Sequence, residues 1–208
     1  KDNELHKKAL IVACDAVLPR MLKEGIKPHI VTRAERKLTQ ILEKEPCINI
    51  TKEETKDIYY APYPWTQGKY YDMFEKHIQI FRTNGVCVWT DLDAGYVNGG
   101  VSAANCALEL VYNLGCRKIV ITGIDLAFID NKSHTGGTKV EFDIYKSKDK
   151  WTKIRANDGG EATSIPVWLR CLNEYRQAVT KKTRQKEYTL FNTSLKGAYI
   201  DGVPYKPW

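Results

Sequence analysis

The chain has 208 residues, 43% of them hydrophobic and 27% charged, with a formal net charge of +7. That size supports one substantial α/β core, no apolar run approaches the ~20 residues of a membrane span, and no secretory signal pattern opens the chain. Six cysteines (Cys14, Cys47, Cys87, Cys106, Cys116, Cys171) without a CxxC pair read as reduced residues of a cytoplasmic protein. The positive charge favours anionic partners such as nucleotides. Its densest run, KKTRQK over 181–186, lacks interleaved aromatics and reads as the solvated end of a helix, so no nucleic-acid partner is expected.

In chain order, KALIVAC over 8–14 predicts a strand with Asp15 at its carboxyl end, then a helix through Met21 and Leu22 that stops at Gly25. A second strand is expected over 29–32, with Glu35 and Arg36 leaving its end. Arg36 suits bidentate capture of phosphate or carboxylate with Glu35 orienting it, and a structural ion pair is the plain alternative. Leu38, Ile41 and Leu42 fit one face of a short helix. Brief strands around Ile48 and over 58–61 precede Pro62-Tyr63-Pro64-Trp65, which reads as a rigid loop, a lid or flap over a pocket. Helical spacing returns over 70–81, and 86–89 is the next strand.

The stretch 99–134 organises the rest. Gly99-Gly100-Val101-Ser102 leads into a helix over 103–114 on which only Asn105, Glu109 and Asn113 are polar, four apart, so most of its circumference is expected to be buried. Gly115 ends it, and Ile119-Val120-Ile121, branched and without alternation, predicts a central parallel strand. Free N–H groups at Gly100, Val101 and Ser102 suit a phosphate or carboxylate, although Ser102 also suits a simple N-cap. Gly123-Ile124-Asp125 leaves the strand, where Asp125 can accept hydrogen bonds from a ribose or a substrate sugar, an N-cap or turn aspartate being the plain alternative. His134, in the polar loop beyond, carries an imidazole suited to proton transfer near neutral pH and is the candidate general base, with a plain surface-loop histidine the alternative, whereas His29 and His77 read as structural.

Asn157-Asp158-Gly159-Gly160 marks a turn after a weakly alternating, hairpin-like segment. Ser164 and Pro166 open a helix with Trp168, Cys171 or Leu172, Tyr175 and Val179 on one face, and 188–191 is a last buried strand. Asp158, Thr163, Asn192, Thr193 and Ser194 bring hydroxyls and amides to loop edges, where turn chemistry is the plain alternative. Together these elements predict a single Rossmann-like α/β domain over 1–208, with a mostly parallel, doubly wound sheet and no metal site.

Five stretches carry a family resemblance: GIKPHIVTRAER (25–36), GGVSAANCALELVYNLGCRKIVITGIDLAF (99–128), KSH (132–134), NDGG (157–160) with Thr163, and NTSLKGAYIDG (192–202). They resemble the motility accessory factor family, bacterial proteins associated with glycosylating flagellin from activated nonulosonic acids. The central pattern is also similar to bacterial sialyltransferases that use CMP-activated sugars, and to archaeal hydroxymethylpterin diphosphokinase. The resemblance implies transfer of a nonulosonic or sialic-acid type sugar from a CMP-type nucleotide donor to a protein or glycan hydroxyl, a flagellin-like acceptor among them. It implies catalytic roles for His134 and Asp125. Asp15, Glu35, Arg36, Gly99, Gly100, Ser102, Gly123, Asp158, Thr163, Asn192, Thr193 and Ser194 would bind nucleotide or substrate. The alternatives are ATP-dependent pyrophosphoryl transfer with Mg²⁺, and binding without turnover. The family's Gly-Pro-Ser nucleotide loop has no counterpart before Lys8, Phe128 stands where accessory factors often have Tyr, and Ala127 where the sialyltransferases have Tyr. The nucleotide site is therefore expected to be incomplete in this chain.

Overall fold

The computed structural model describes residues 4–34, 50–66, 68–80, 97, 99–130, 150–183 and 188–207. They divide into two units, Lys1–Asn113 and Leu114–Trp208, and each is described by itself.

The first unit runs α1 (Glu4–Lys8), β1 (Val12–Cys14), a 3-10 turn (Asp15–Val17), α2 (Leu18–Lys23), β2 (Ile30–Arg33), α3 (Lys52–Thr55), β3 (Tyr59–Pro62), α4 (Gly68–Tyr71), β4 (Lys76–His77) and α5 (Ala103–Asn113). Its strands form one parallel sheet in the order β1-β2-β3-β4, with Ile30 opposite both Val12 and Tyr59. Strand β2 buries all four residues, as a parallel strand covered on both faces must. Successive side chains point to opposite faces. Ile30 and Ala61 pack with Tyr63 and with Cys106 and Leu110 of α5, whereas Val31 and Tyr60 pack with Leu18, Ile58, Tyr70 and Phe74. Helix α5 is buried over most of its circumference, as its composition predicts.

Three expectations need correction here. The strand expected over 8–14 is shorter, because Lys8 still belongs to α1. The helix expected over 70–81 ends at Tyr71, and Lys76–His77 pairs with β3 instead. The aromatic spacing has another cause: Phe74 stacks on Tyr60 at 4.4 Å, while Tyr71 and His77 meet the same ring edge-on at 5.8 and 6.3 Å. Tyr63 is no flap. It is buried in the core, and its ring occupies the space left by the missing side chain of Gly99. The helix expected around Leu38, the strand near Ile48 and the strand at 86–89 lie outside the described residues.

In the second unit β5 (Lys118–Ile121) pairs in parallel with β8 (Thr189–Asn192), placing Ile121 opposite Asn192. Between them come an antiparallel hairpin of β6 (Thr152–Arg155) and β7 (Glu161–Ser164), then α6 (Pro166–Thr183). Helix α6 starts at Pro166, where a missing N–H costs nothing, and buries Cys171, Leu172, Tyr175 and Val179. Ser164 closes β7 rather than capping α6, its hydroxyl donating to the Leu126 carbonyl at 2.7 Å. Strand β5 departs from the expected burial on both faces: Ile119 and Ile121 are buried, but Val120 between them is 46% exposed. Three branched residues in a row do not distinguish a strand with both faces covered from one with a single covered face. Among the described residues no helix is long and apolar enough to cross a membrane, and Cys14, Cys106, Cys116 and Cys171 are free thiols.

Candidate functional site

The polar constellation of the second unit is built where β5 and β8 end together. After β5 the chain passes through Gly123 (φ 68°) and Leu126 (φ 51°), both left-handed, with Asp125 between them. Glycine adopts this conformation freely, but for leucine it costs on the order of 1–2 kcal/mol and persists only where the surroundings enforce it. Here they do. The Leu126 carbonyl is held by Ser164, the Asp125 carbonyl accepts from the Ala198 N–H at 2.8 Å, and the Phe128 N–H donates to the Thr163 carbonyl at 2.8 Å.

On the β8 side, the Thr193 N–H donates to the Ile121 carbonyl at 3.0 Å, which keeps the two strand exits adjacent. One residue later the Ser194 hydroxyl donates to the Asp125 carboxylate. Ser194 is gripped from both backbone sides: its N–H donates to Asn192 Oδ1 at 2.9 Å, and its carbonyl accepts from Asn157 Nδ2 at 2.8 Å. Gly197 completes the enclosure, since a Cβ there would lie 2.6 Å from Ser194 Oγ and 3.1 Å from Asp125 Cα. Asn192 is 0% exposed. Its Nδ2, like the Oδ1 of Asn157, has no hydrogen-bond partner among the described residues. Asp158 is occupied with the hairpin turn, accepting from the Gly160 N–H at 2.9 Å, and Thr163 contributes its backbone to the Phe128 bridge.

The first unit gathers a second set at the ends of β1, β2 and β3. Asp15 is ion-paired with Arg33, whose side chain is 4% exposed and whose guanidinium lies 3.9 Å from the centre of the Tyr70 ring. Removing one partner of such a buried pair typically costs about 3–5 kcal/mol, because a charge is left uncompensated. Burial first, then the charges of Asp15 and Cys106, push the adjacent Cys14 thiol up to about 12 against an opposing hydrogen bond with Thr32. Cys14 is therefore no thiolate nucleophile at neutral pH. Thr32 also ties the sheet to α5 through the Ala103 carbonyl at 2.9 Å. Ser102 is an N-cap, accepting from the Asn105 N–H at 3.1 Å and donating to Asn105 Oδ1 at 2.6 Å. Gly99 and Gly100 are set against Tyr63, whose hydroxyl donates to the Gly100 carbonyl at 3.4 Å.

Of the residues singled out from the sequence, the second unit brings together Asp125, Asn192, Thr193 and Ser194, with Gly123 just before them. The first unit brings together Gly99, Gly100 and Ser102 at the start of α5, with Asp15 at the end of β1. Glu35, Arg36 and His134 lie outside the described residues. Sequence reading gives Arg33 no role, places Tyr63 in a loop and takes Asn157 for a turn residue. The signal for Arg33 was an arginine ending a strand beside a strand that ends in Asp15. Among the described residues no three His, Cys, Asp or Glu side chains gather as metal ligands would.

Comparisons with known proteins place this α/β fold. The family described as 6-hydroxymethylpterin diphosphokinase MptE-like matches residues 2–131, more than half of the chain, and the chain belongs to that family. Among solved structures it is similar to the Maf glycosyltransferase from Magnetospirillum magneticum AMB-1, with a TM-score of 0.70 and 16% sequence identity over 98% of this chain. The match spans 30% of the length of that protein. Comparison with curated protein sequences returns no match.

Proposed function

We propose that this chain is a Rossmann-like glycosyltransferase domain that moves a nonulosonic or sialic-acid type sugar from a CMP-type nucleotide donor to a hydroxyl of a protein or glycan, a flagellin-like acceptor among the candidates. The observation that carries this reading is the Asp125–Ser194 pair, held by a strained turn and enclosed by amides and hydroxyls. A carboxylate acceptor among neutral hydrogen-bonding groups suits a polyhydroxylated ligand better than a bare phosphate. The likeness in fold to a Maf glycosyltransferase supports the reading. In this scheme the acceptor hydroxyl gives its proton to a general base, for which His134 is the proposed residue, as its oxygen bonds to the anomeric carbon and the nucleotide leaves with the bonding electrons.

The family description favours a second reading, pyrophosphoryl transfer from ATP to a hydroxymethylpterin. That chemistry uses Mg²⁺ to bridge phosphates. Asp15 is engaged by Arg33, while Asp125 keeps a carboxylate oxygen beyond its bond with Ser194, and an ion held mainly by phosphates needs only one or two such carboxylates. Calorimetric titration with CMP-N-acetylneuraminate, CMP, ATP and 6-hydroxymethylpterin separates the readings. Binding of the CMP-sugar with release of CMP on addition of an acceptor supports the first. Binding of ATP and pterin together, with no response to the CMP-sugar, replaces it with the second.

A further inference from the structure

Asn157 and Asn192 hold Ser194 with one end of each amide and leave the other end spare. Asn157 Nδ2 donates to the carbonyls of Ser194 and Ala198, at 2.8 and 3.3 Å, so its orientation is fixed and Oδ1 remains as a buried acceptor. Asn192 Oδ1 takes the Ser194 N–H, so Nδ2 remains as a donor in a fully buried side chain. Asp125 adds a carboxylate with one oxygen engaged by Ser194. Buried polar atoms without partners are uncommon in native folds because desolvating them goes uncompensated. Two of them flank one serine, next to a carboxylate, and have no partner among the described residues.

The spare groups specify the chemistry of a ligand that would meet them. Asp125 and Asn157 Oδ1 are acceptors, and Asn192 Nδ2 is a donor. A phosphate or carboxylate brings only acceptors and would face two oxygens; an ammonium brings only donors and would face the amide N–H. Two neighbouring hydroxyls donate to the first two groups and accept from the third. We propose that Asp125, Asn157 and Asn192 form a subsite for a vicinal diol, either of a nucleotide's ribose or of a sugar ring. This deepens the glycosyl-transfer reading and rests on it for the choice of ligands.

The test is calorimetry on the full chain with CMP, 2′-deoxy-CMP, ATP, 2′-deoxy-ATP and CMP-N-acetylneuraminate, repeated on Asn192→Asp. That change keeps an oxygen for the Ser194 N–H and turns the spare donor into an acceptor, at the cost of a buried carboxyl. If the diol is ribose, the ribonucleotides bind about 10-fold or more tighter than their 2′-deoxy forms. A sugar-ring diol instead leaves CMP equal to 2′-deoxy-CMP and makes the CMP-sugar the tighter ligand by a similar factor. In Asn192→Asp whichever gap is found falls below about 2-fold. Should that variant not fold, Asp125→Asn takes its place with the same expectation. Binding without either gap, a gap that survives both variants, or no binding by any probe up to millimolar concentration overturns the subsite. The parent reading fails separately: a ribose gap without turnover of the CMP-sugar removes the reaction and leaves the subsite, whereas turnover without any gap does the reverse.

Discussion

Ser194 donates a hydrogen bond to the carboxylate of Asp125, 69 residues earlier in the chain, and so joins the exits of two parallel strands. The bond orients the carboxylate, and whatever accepts or donates at its second oxygen meets a fixed group. Asp125→Ala is expected to weaken binding of CMP-N-acetylneuraminate by about 1–3 kcal/mol, since a ligand hydroxyl loses its acceptor. Ser194→Ala removes only the orienting bond and is expected to cost about 0.5–1.5 kcal/mol. Isothermal titration reads both, and unchanged affinity in Asp125→Ala removes this residue from the binding site.

Gly99 makes a sharper prediction about the first unit. A Cβ at this position would overlap the Tyr63 hydroxyl and lie 3.1 Å from the Cα of Cys106, so the tyrosine ring or α5 must shift. Gly99→Ala is expected to destabilise the unit by about 1–3 kcal/mol, as overpacking of a filled core does. Adding Tyr63→Phe removes the hydroxyl that clashes, so the double variant should lose less than the sum of the two singles. Urea unfolding of the four proteins measures that difference directly. Additive losses would mean that the clash is relieved elsewhere.

Much of this architecture is legible in the sequence because it depends on local patterns. A polar stripe of period four marks α5, proline followed by a helical apolar face marks α6, and strand-ending Asp125 and Asn192-Thr193-Ser194 mark two strand exits that lie side by side. What is not legible depends on long-range partners. The aromatics over 70–81 have helical spacing, yet they surround Tyr60 on another strand. Arg33 gains its role because β2 extends one residue further than expected and sets its guanidinium against Asp15 and Tyr70. Asn157 reads as turn chemistry until the β8 exit folds back beside it. In each case the deciding neighbour lies more than ten residues away, where periodicity carries no information.

His29 links α1 to pH. Its Nδ1 accepts the Ile11 N–H at 3.0 Å, which requires a neutral ring, and it stacks on His6 with centroids 3.8 Å apart. Burial, then the charge of His6, lowers its affinity for a proton below the ordinary value of 6.5, while a bond with the His6 backbone opposes them. The unfolded chain therefore takes up this proton before the folded one does. The stabilisation is fully present above about pH 6.5 and is lost as pH falls through the lowered value. Thermal melts from about pH 8 to pH 5 should show a decline that is shallower in His29→Asn, which has no such proton to gain. A wild-type decline of equal slope would assign the acid sensitivity to other groups.

The transfer step supplies the last prediction, and it concerns His134, which lies outside the described residues. It follows Asp125 by nine positions in the sequence, and an imidazole titrating near neutral pH is suited to take the proton of an attacking hydroxyl. Replacing a general base removes a contribution made only in the transition state, so binding and chemistry should separate. His134→Ala is expected to lower turnover by about 10²-fold or more while the affinity for CMP-N-acetylneuraminate stays within about 2-fold of wild type. Asp125→Ala should do the opposite, weakening affinity first. The wild-type rate should rise through the titration of an imidazole, and that limb of the pH profile should be missing from His134→Ala. The measurement is the initial rate of CMP release with acceptor present, across about pH 6 to pH 9, beside calorimetry on the same preparations. An unchanged rate and profile in His134→Ala would remove this histidine from the reaction. The base would then be sought among the remaining carboxylates, with Glu35 and Asp158 the next to replace.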